Sequence, residues 1–296
     1  MNASFEETVT IAEKEGLSFA EAVLEQQSRA TAVPVEVIRK ETASRLDEME
    51  HSVLDALKRR CEGKISRADS SLLETWGKGC EPFAGRLTLR AAEIAMATAA
   101  SNACMGRIVA APTAGSCGII PGILLAAGEC RGYGRKTLLE GLITAGGIGQ
   151  VIASRATLAG AEGGCQAECG AAAAMAAGAL ITMDGHGAQR VTHAAALVLK
   201  SILGLVCDPV AGLVEVPCIK RNGVLTGLAT ICADMAAAGV RSVIPPDEVV
   251  DALFKVGKAL PETLRETGLG GLAATPTGKK LAEDLRESAP KLDERS

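Results

Sequence analysis

Three cysteines stand at turns of the chain, where their side chains could converge on a metal. Cys207 and Cys218 bound a loop that also contains Pro209 and Pro217. Proline fixes its own φ angle and has no backbone N–H donor, so this stretch is not predicted to be a smooth helix. A stiff loop with two thiols suits metal ligation, and Cys165, which follows two glycines, would complete a three-point cradle.

The spacing of these thiols does not by itself select a metal. It matches neither the Cys-x-x-Cys pairs of structural zinc sites nor the four clustered cysteines of ferredoxins. Cys165 is predicted at or near a helix N-terminus, where the helix dipole favours a thiolate. Five other cysteines are interpreted as small apolar residues: Cys61, Cys80, Cys104, Cys130 and Cys232. Cys117 and Cys169 are expected near the site, but neither is assigned as a ligand.

A second stretch that could do chemistry covers residues 111–122, Ala-Pro-Thr-Ala-Gly-Ser-Cys-Gly-Ile-Ile-Pro-Gly. Small residues around a proline precede an apolar helix, and the first N–H groups of a helix can bind a carboxylate or a phosphate. The alternative is a buried turn between two core helices. The stretch is not a P-loop, because no Gly-Lys-Ser/Thr closes it.

The elements that position these residues are predicted to be helices. Aromatic residues make up only 2% of the 296 residues, and a core of Ala, Leu, Val and Ile favours closely packed helices over a β-sandwich. The sequence therefore predicts an all-α, Ala/Gly-rich, multi-helix domain. Capping boxes predict helix starts at Ser18 and Ser71, and residues 171–183 are predicted to be helical. The single domain would comprise a helical lead-in (1–85), a site-bearing core (86–278) and a charged tail (279–296).

Charge and hydropathy exclude some classes of partner. The formal net charge is −4 and the basic residues are scattered, which argues against nucleic acid as the main partner. The longest uncharged run, residues 108–128, approaches the length of a membrane span. Prolines and glycines interrupt it, so it is interpreted as a buried loop followed by a helix, with no membrane partner. The acidic N-terminus does not resemble a signal peptide, and the expected compartment is the cytoplasm, where ten cysteines would stay reduced.

Five motifs in the same order make the sequence resemble a known family, the α subunit of bacterial iron–sulfur-dependent L-serine dehydratase (L-serine ammonia-lyase) of the two-chain type. The resemblance covers most of the chain and is densest over residues 102–278. The motifs that carry it are residues 102–106, 111–122, 163–168, 207–222 and 264–273.

The resemblance implies a set of site residues. In that family three cysteines hold a [4Fe–4S] cluster, and these correspond to Cys165, Cys207 and Cys218. The family's Pro-Thr-x-Gly loop lies against the substrate, which implies a binding role for Thr113, Ala114, Gly115, Ser116 and Cys117. Arg221 follows Cys218 closely and is a candidate partner for the substrate carboxylate, although a structural ion pair is the alternative. Asn102 and Glu168 are weaker candidates near the site.

The resemblance also implies an activity and a partner. The expected reaction dehydrates and deaminates L-serine to pyruvate and ammonia, within amino-acid degradation and gluconeogenesis. The cluster iron that lacks a protein ligand would act as a Lewis acid. The motif Gly-Pro-Ser-Ser-Ser-His-Thr, which single-chain relatives carry on a second domain, is missing here. A separate β subunit in a hetero-oligomer is therefore expected to supply it. The catalytic base is not identified in this chain and is expected on that partner or on a cluster-bound group.

Three other functions stay open at this point. A related iron–sulfur lyase could act on cysteine or threonine instead of serine. A pyridoxal-phosphate dehydratase would need a Schiff-base lysine, and no lysine of this sequence lies in a Gly-rich phosphate-binding setting. An iron–sulfur sensor or scaffold without enzymatic activity is the third.

Overall fold

A computed structural model describes residues 3–288, and within that range the chain is all-α, as predicted. It has 13 α-helices and no β-strand there, and one isolated parallel bridge joins Cys207 to Arg265. A π-helix (Gln166–Gly170) and three short 3₁₀ helices (Val210–Gly212, Glu262–Leu264 and Gly271–Ala274) add to these. The α-helices are α1 (Phe5–Glu15), α2 (Phe19–Thr31), α3 (Val35–Arg59), α4 (Ser70–Gly79), α5 (Gly85–Ala103), α6 (Ile119–Arg131), α7 (Arg135–Arg155), α8 (Gly160–Gly163), α9 (Ala171–Met183), α10 (Ala188–Ser201), α11 (Cys218–Ala237), α12 (Pro246–Ala259) and α13 (Pro276–Ser288).

Helix α9 is the centre of the core and spans the residues that the sequence predicts. Apart from Leu180 and Thr182, every residue of this helix is buried. A helix that is apolar on all sides is stable in water only if other elements surround it. Helices α6, α7, α10 and α11 provide that cover, and the π-helix that follows the candidate ligand Cys165 leads directly into α9.

Glycines bring α6 unusually close to α5, and this contact places the 111–118 loop. A Cβ atom at Gly118 would stand 2.1 Å from the carbonyl oxygen of Ala95, and one at Gly122 would stand 2.6 Å from that of Ala91. Real Cβ atoms do not approach backbone oxygens so closely. The loop and helix predicted for residues 108–128 are confirmed, because α6 starts at Ile119.

The helical lead-in contains one confirmed and one wrong prediction of a helix start. At Ser18 the capping box is complete, with Glu21 bonded back to the Ser18 backbone. The start at Ser71 is wrong, because α4 begins at Ser70 after Asp69. The Ser71 hydroxyl donates to the Ala68 carbonyl instead, which is the local side-chain-to-backbone competition that serine offers near helix starts.

The lead-in packs on the rest of the chain, since α1 contacts α10 and α3 contacts α5 and α7. Whether residues 85/86 and 278/279 are boundaries stays a prediction. The tail is helical as far as Ser288 in α13, and residues 289–296 lie outside the described part. One described helix, α7, is long and apolar enough to cross a membrane. It is 56% buried over its most apolar window and packs on α9, as a core helix does.

Candidate iron–sulfur and substrate site

The three cysteines of the predicted ligand set come from three different elements. Cys165 immediately precedes the π-helix, Cys207 lies on extended backbone before the first 3₁₀ helix, and Cys218 is the first residue of α11. Cys165 and Cys207 are 2% and 4% exposed, and Cys218 is partly buried. A π-helix costs hydrogen-bond geometry and is found mostly at functional sites, so its position next to Cys165 is informative.

The pKa values of the three thiols are shifted in different directions. A hydrogen bond from Cys169 lowers the pKa of Cys165, and the charge of Arg221 acts in the same direction. Burial raises the pKa of Cys207 well above its usual range and that of Cys218 to about 12. After burial, the next cause for both is the nearby Cys165. The three sulfur atoms are therefore close enough to influence one another, and a bound metal would have to displace protons from two of them.

Three cysteines form a donor set of the kind that iron–sulfur clusters use. Thiolates are the usual ligands of such clusters. Residues 3–288 contain no group of three His, Cys, Asp or Glu side chains close enough to share one ion. A cluster of several irons holds its cysteines farther apart than a single ion does. The Cys207 sulfur lies close to the Gly160 backbone, since a Cβ atom at Gly160 would stand 3.3 Å from it.

The predicted substrate loop lies against the π-helix through Glu168. The Thr113 hydroxyl donates to the Glu168 carboxylate and is 3.0 Å from the Ser116 hydroxyl. A Cβ atom at Gly115 would stand 2.6 Å from Glu168 Oε1, so only glycine lets the carboxylate lie this close to the loop backbone. Burial raises the pKa of Glu168, while the Thr113 hydrogen bond acts in the opposite direction. Glu168, a weaker candidate from the sequence, thus joins the loop to the cysteine-bearing element.

Other residues of the loop face away from solvent. Ser116 and Cys117 are fully buried, and the Cys117 thiol lies 4.0 Å from the Thr98 carbonyl oxygen of α5. Burial raises the pKa of Cys117 to about 12. The carbonyl oxygen of Ala114 accepts a hydrogen bond of 3.1 Å from the Asn102 side chain. The Ser116 and Cys117 side chains therefore pack inside the protein, whereas the Thr113 side chain contacts Glu168 of the π-helix.

Asn222 fixes the loop to α11. Its side-chain amide donates to the carbonyl oxygens of Gly115 (2.8 Å) and Cys218 (3.0 Å), and its oxygen accepts from the Gly118 N–H (3.0 Å). The N–H groups of Cys117 and Ile119 are bonded to Ala114 and Ser116. Because these helix-start donors are already used, the buried-turn alternative describes this segment better than anion binding by the N-terminus of α6.

Arg221 is held in a buried ion pair. One guanidinium nitrogen donates to Asp208 (2.9 Å) and another to the Val206 carbonyl oxygen (2.9 Å). Asp208 is 3% exposed and also accepts from the Leu272 N–H (2.8 Å). These contacts favour the structural alternative for Arg221. Its predicted role in substrate binding stays a prediction.

A strap after α12 completes the wall next to Cys207. The Cys207 N–H donates to Leu264 O (2.9 Å), and Cys207 O accepts from the Glu266 N–H (2.8 Å). The Glu266 carboxylate comes near Gly160: a Cβ there would stand 3.4 Å from Glu266 Oε2 and 3.2 Å from Glu168 Oε2. Two carboxylates and a thiol therefore surround Gly160.

Most of the chain matches one known protein family. The family described as serine dehydratase alpha chain matches residues 14–273. The chain belongs to the serine dehydratase alpha chain family. This confirms the resemblance drawn from the sequence and the prediction that the chain is part of a carbon–nitrogen lyase.

Individual relatives agree with the family assignment. The L-serine dehydratase alpha chain of Peptoniphilus asaccharolyticus is 44% identical over 281 residues, which cover 94% of this chain and 96% of that protein. The probable L-serine dehydratase alpha chain of Bacillus subtilis is 42% identical over 290 residues, 96% of this chain and 95% of that one. L-serine dehydratase TdcG of Escherichia coli is 39% identical over 181 residues, 60% of this chain and 40% of that protein.

Several residues of this serine dehydratase alpha chain site were not singled out from the sequence. Gly160, Asp208, Asn222, Arg265 and Glu266 all contact or border the candidate ligands. Four of them, Asp208, Asn222, Arg265 and Glu266, lie inside the quoted family motifs, which was the available signal. Their partners are distant in sequence, so the motifs alone could not show which residue bonds to which.

Proposed function

We propose that this alpha chain holds a [4Fe–4S] cluster through Cys165, Cys207 and Cys218 and forms, with a β chain, an L-serine ammonia-lyase. The observation that best supports this is the joining of the two predicted parts of the site. Glu168, on the element that follows Cys165, accepts a hydrogen bond from Thr113 of the substrate loop. A substrate on that loop would therefore lie beside the cysteines.

The cluster, when bound, would supply Lewis-acid activation of the serine hydroxyl through an iron without a protein ligand. The overall change removes water from serine; the aminoacrylate then tautomerises to an imine, and water converts it to pyruvate and ammonia. The protein's part is to fix the substrate next to the three thiols. Thr113 and Gly115 form the loop surface on that side, and Asn222 holds the loop in place.

Two buried contacts keep the cysteine loop in position. Asp208, next to Cys207, binds Arg221 and the Leu272 N–H. Glu215, three residues before Cys218, accepts from the backbone N–H groups of Lys64, Ile65 and Ser66 at 2.9–3.0 Å. A carboxylate that accepts several backbone hydrogen bonds strongly fixes the segment that carries it. The lead-in thereby supports the loop that is proposed to ligate iron.

A β chain is part of the proposal. Two relatives that this chain covers almost completely carry "alpha chain" in their names. L-serine dehydratase TdcG, whose name includes no chain designation, is matched over 40% of its length. We infer that the base for Cα proton abstraction comes from the β chain, that the assembly is a hetero-oligomer, and that it works in the cytoplasm on L-serine rather than on cysteine or threonine.

The test is anaerobic co-expression of this chain with a β-type chain, followed by absorption spectroscopy and product analysis. Serine should give pyruvate and ammonia, with less 2-oxobutyrate from threonine and less sulfide from cysteine. A preference for threonine or cysteine would identify the related lyase. A pyridoxal absorbance abolished by borohydride would contradict the cluster. A cluster-loaded complex without turnover of any of the three amino acids would indicate a sensor or scaffold.

A further inference from the structure

The Arg265 side chain has no hydrogen-bond or ion-pair partner in the part of the chain that the structure describes, although its Nε atom is buried. Its Nε atom is inaccessible to solvent and has no hydrogen-bond partner. The ion pairs among residues 3–288 do not include Arg265. A buried donor is almost always satisfied, and an arginine that is desolvated without a partner is costly. Such a group is a candidate for receiving a ligand.

The backbone places Arg265 on the same side of the strap as the Cys207 thiol. Cys207 bonds to the residues before and after Arg265, so the two are paired across a parallel bridge. Side chains alternate between the two faces of extended backbone, and residues paired across a bridge present theirs to the same face. The Arg265 side chain therefore leaves the backbone on the cysteine side.

Glu266 breaks the alternation that would otherwise send its side chain to the opposite face. Its φ angle is +66°, a left-handed conformation that a non-glycine residue adopts rarely and at a cost. The consequence is that its carboxylate reaches the space around Gly160, close to Cys207. Consecutive residues of the strap thus bring a positive and a negative group to the same side without pairing with each other.

The two arginines near the cysteines differ in whether their guanidinium groups have hydrogen-bond partners. Arg221 donates to Asp208 and to the Val206 carbonyl oxygen, so its guanidinium group is already committed. The Arg265 guanidinium group has no hydrogen-bond acceptor among residues 3–288. The edge formed by the two terminal nitrogens of a guanidinium group donates two parallel hydrogen bonds, which match the two oxygens of a carboxylate.

We propose that Arg265 binds the α-carboxylate of the amino-acid substrate through its two terminal nitrogens. The proposal rests on the function proposed above and specifies how that site recognises its substrate. It gives the role predicted for Arg221 to a residue that the sequence did not indicate. The neighbouring Glu266 carboxylate supplies the charge opposite to that of the guanidinium, which suits a zwitterionic amino acid.

The experiment uses the reconstituted complex with Arg265→Gln and Arg265→Lys. Loss of a bidentate carboxylate contact is expected to raise KM for serine on the order of 100-fold in the Gln variant, with a smaller change in kcat. Such a split indicates lost substrate binding. Lysine keeps the positive charge but cannot donate two parallel hydrogen bonds, so the Lys variant should have an intermediate KM. Arg286→Gln is the control, because Arg286 is exposed and bonds only within its own helix.

A binding measurement separates recognition from turnover. Calorimetry compares D-serine, which has the carboxylate, with ethanolamine, which lacks it. The wild-type complex should bind D-serine more tightly, and Arg265→Gln should remove most of that preference while iron content and the thermal unfolding midpoint stay unchanged. An unchanged KM and an unchanged preference would overturn the proposal. So would a loss of iron in both variants, since that would show a structural role. If the complex does not convert serine but Arg265→Gln still removes the preference of the wild type for D-serine, the proposed function fails and the assignment of Arg265 stands.

Discussion

Asn222 joins two stretches that are about one hundred residues apart in the sequence. Its side chain bonds to Gly115 and Gly118 in the substrate loop and to Cys218 in the cysteine loop. It is fully buried, so water cannot replace these bonds. Its effect on the site comes from holding the loop, since no reacting group needs to touch it.

Replacement of Asn222 by alanine should therefore destabilise the chain and disturb the site. Removal of one partner leaves buried backbone groups unsatisfied, and we expect a loss of about 2–3 kcal/mol in the free energy of unfolding. Asn102→Ala is the matched control, because Asn102 makes one exposed bond to the same loop and should cost below about 1 kcal/mol. Denaturant titration measures both. Equal losses in the two variants would contradict the role given to Asn222.

The candidate ligands could be predicted from the sequence, but the residues that hold them in position could not. Cys165, Cys207 and Cys218 were recognisable because glycine or proline accompanies each at a turn and because each lies in a family motif. The partnership of Arg221 with Asp208 and the orphaned Nε of Arg265 depend on contacts between distant segments. Such contacts leave no periodicity, so residue types alone did not separate the two arginines.

At the scale of elements, close helix packing positions the loops of the site. Ala and Gly let α6 approach both α5 and α9, and the substrate loop is the connection from α5 to α6. Close packing of this kind leaves no room for extra atoms, so a single added methyl group is expected to be felt.

Two glycine-to-alanine substitutions test this packing against helix propensity. At Gly118 the new Cβ would stand 2.1 Å from the Ala95 carbonyl oxygen, and we expect a loss of about 3 kcal/mol in stability. At Gly146, in the exposed interior of α7, nothing lies within 4 Å. There alanine should stabilise by about 0.5–1 kcal/mol. Thermal and denaturant unfolding would detect opposite signs; a stabilised Gly118→Ala variant would refute the close contact.

Helices with a strong compositional signal were predicted well, and those that depend on tertiary contacts were not. Helix α9 has the predicted limits because an unbroken run of Ala with Met, Leu and Ile can only be a buried helix here. The start of α4 was misplaced because the Ser71 hydroxyl bonds to the Ala68 carbonyl oxygen instead of capping. Helix α11 begins at Cys218, directly after Pro217, a position at which proline is compatible with a helix start.

At the scale of the whole molecule, three distant elements must fold together before the proposed ligands can meet. The segment before α9, the extended backbone at residue 207 and the start of α11 each contribute one thiol. Metal binding to such a site is coupled to folding, because the unfolded chain holds no preformed cradle. Iron content, fold and activity are therefore expected to change together, and the base is expected on the β chain.

The measurement that tests the central claim most directly is iron and sulfide content per alpha chain after anaerobic purification of the complex. Wild type is expected to contain four irons per alpha chain, the number in one [4Fe–4S] cluster, and each of Cys207→Ala, Cys165→Ala and Cys218→Ala should lose most of this iron together with serine turnover. Cys130→Ala, which removes an exposed thiol, should keep both. Full turnover in an iron-free wild-type complex, or full iron in the Cys207→Ala variant, would contradict the account.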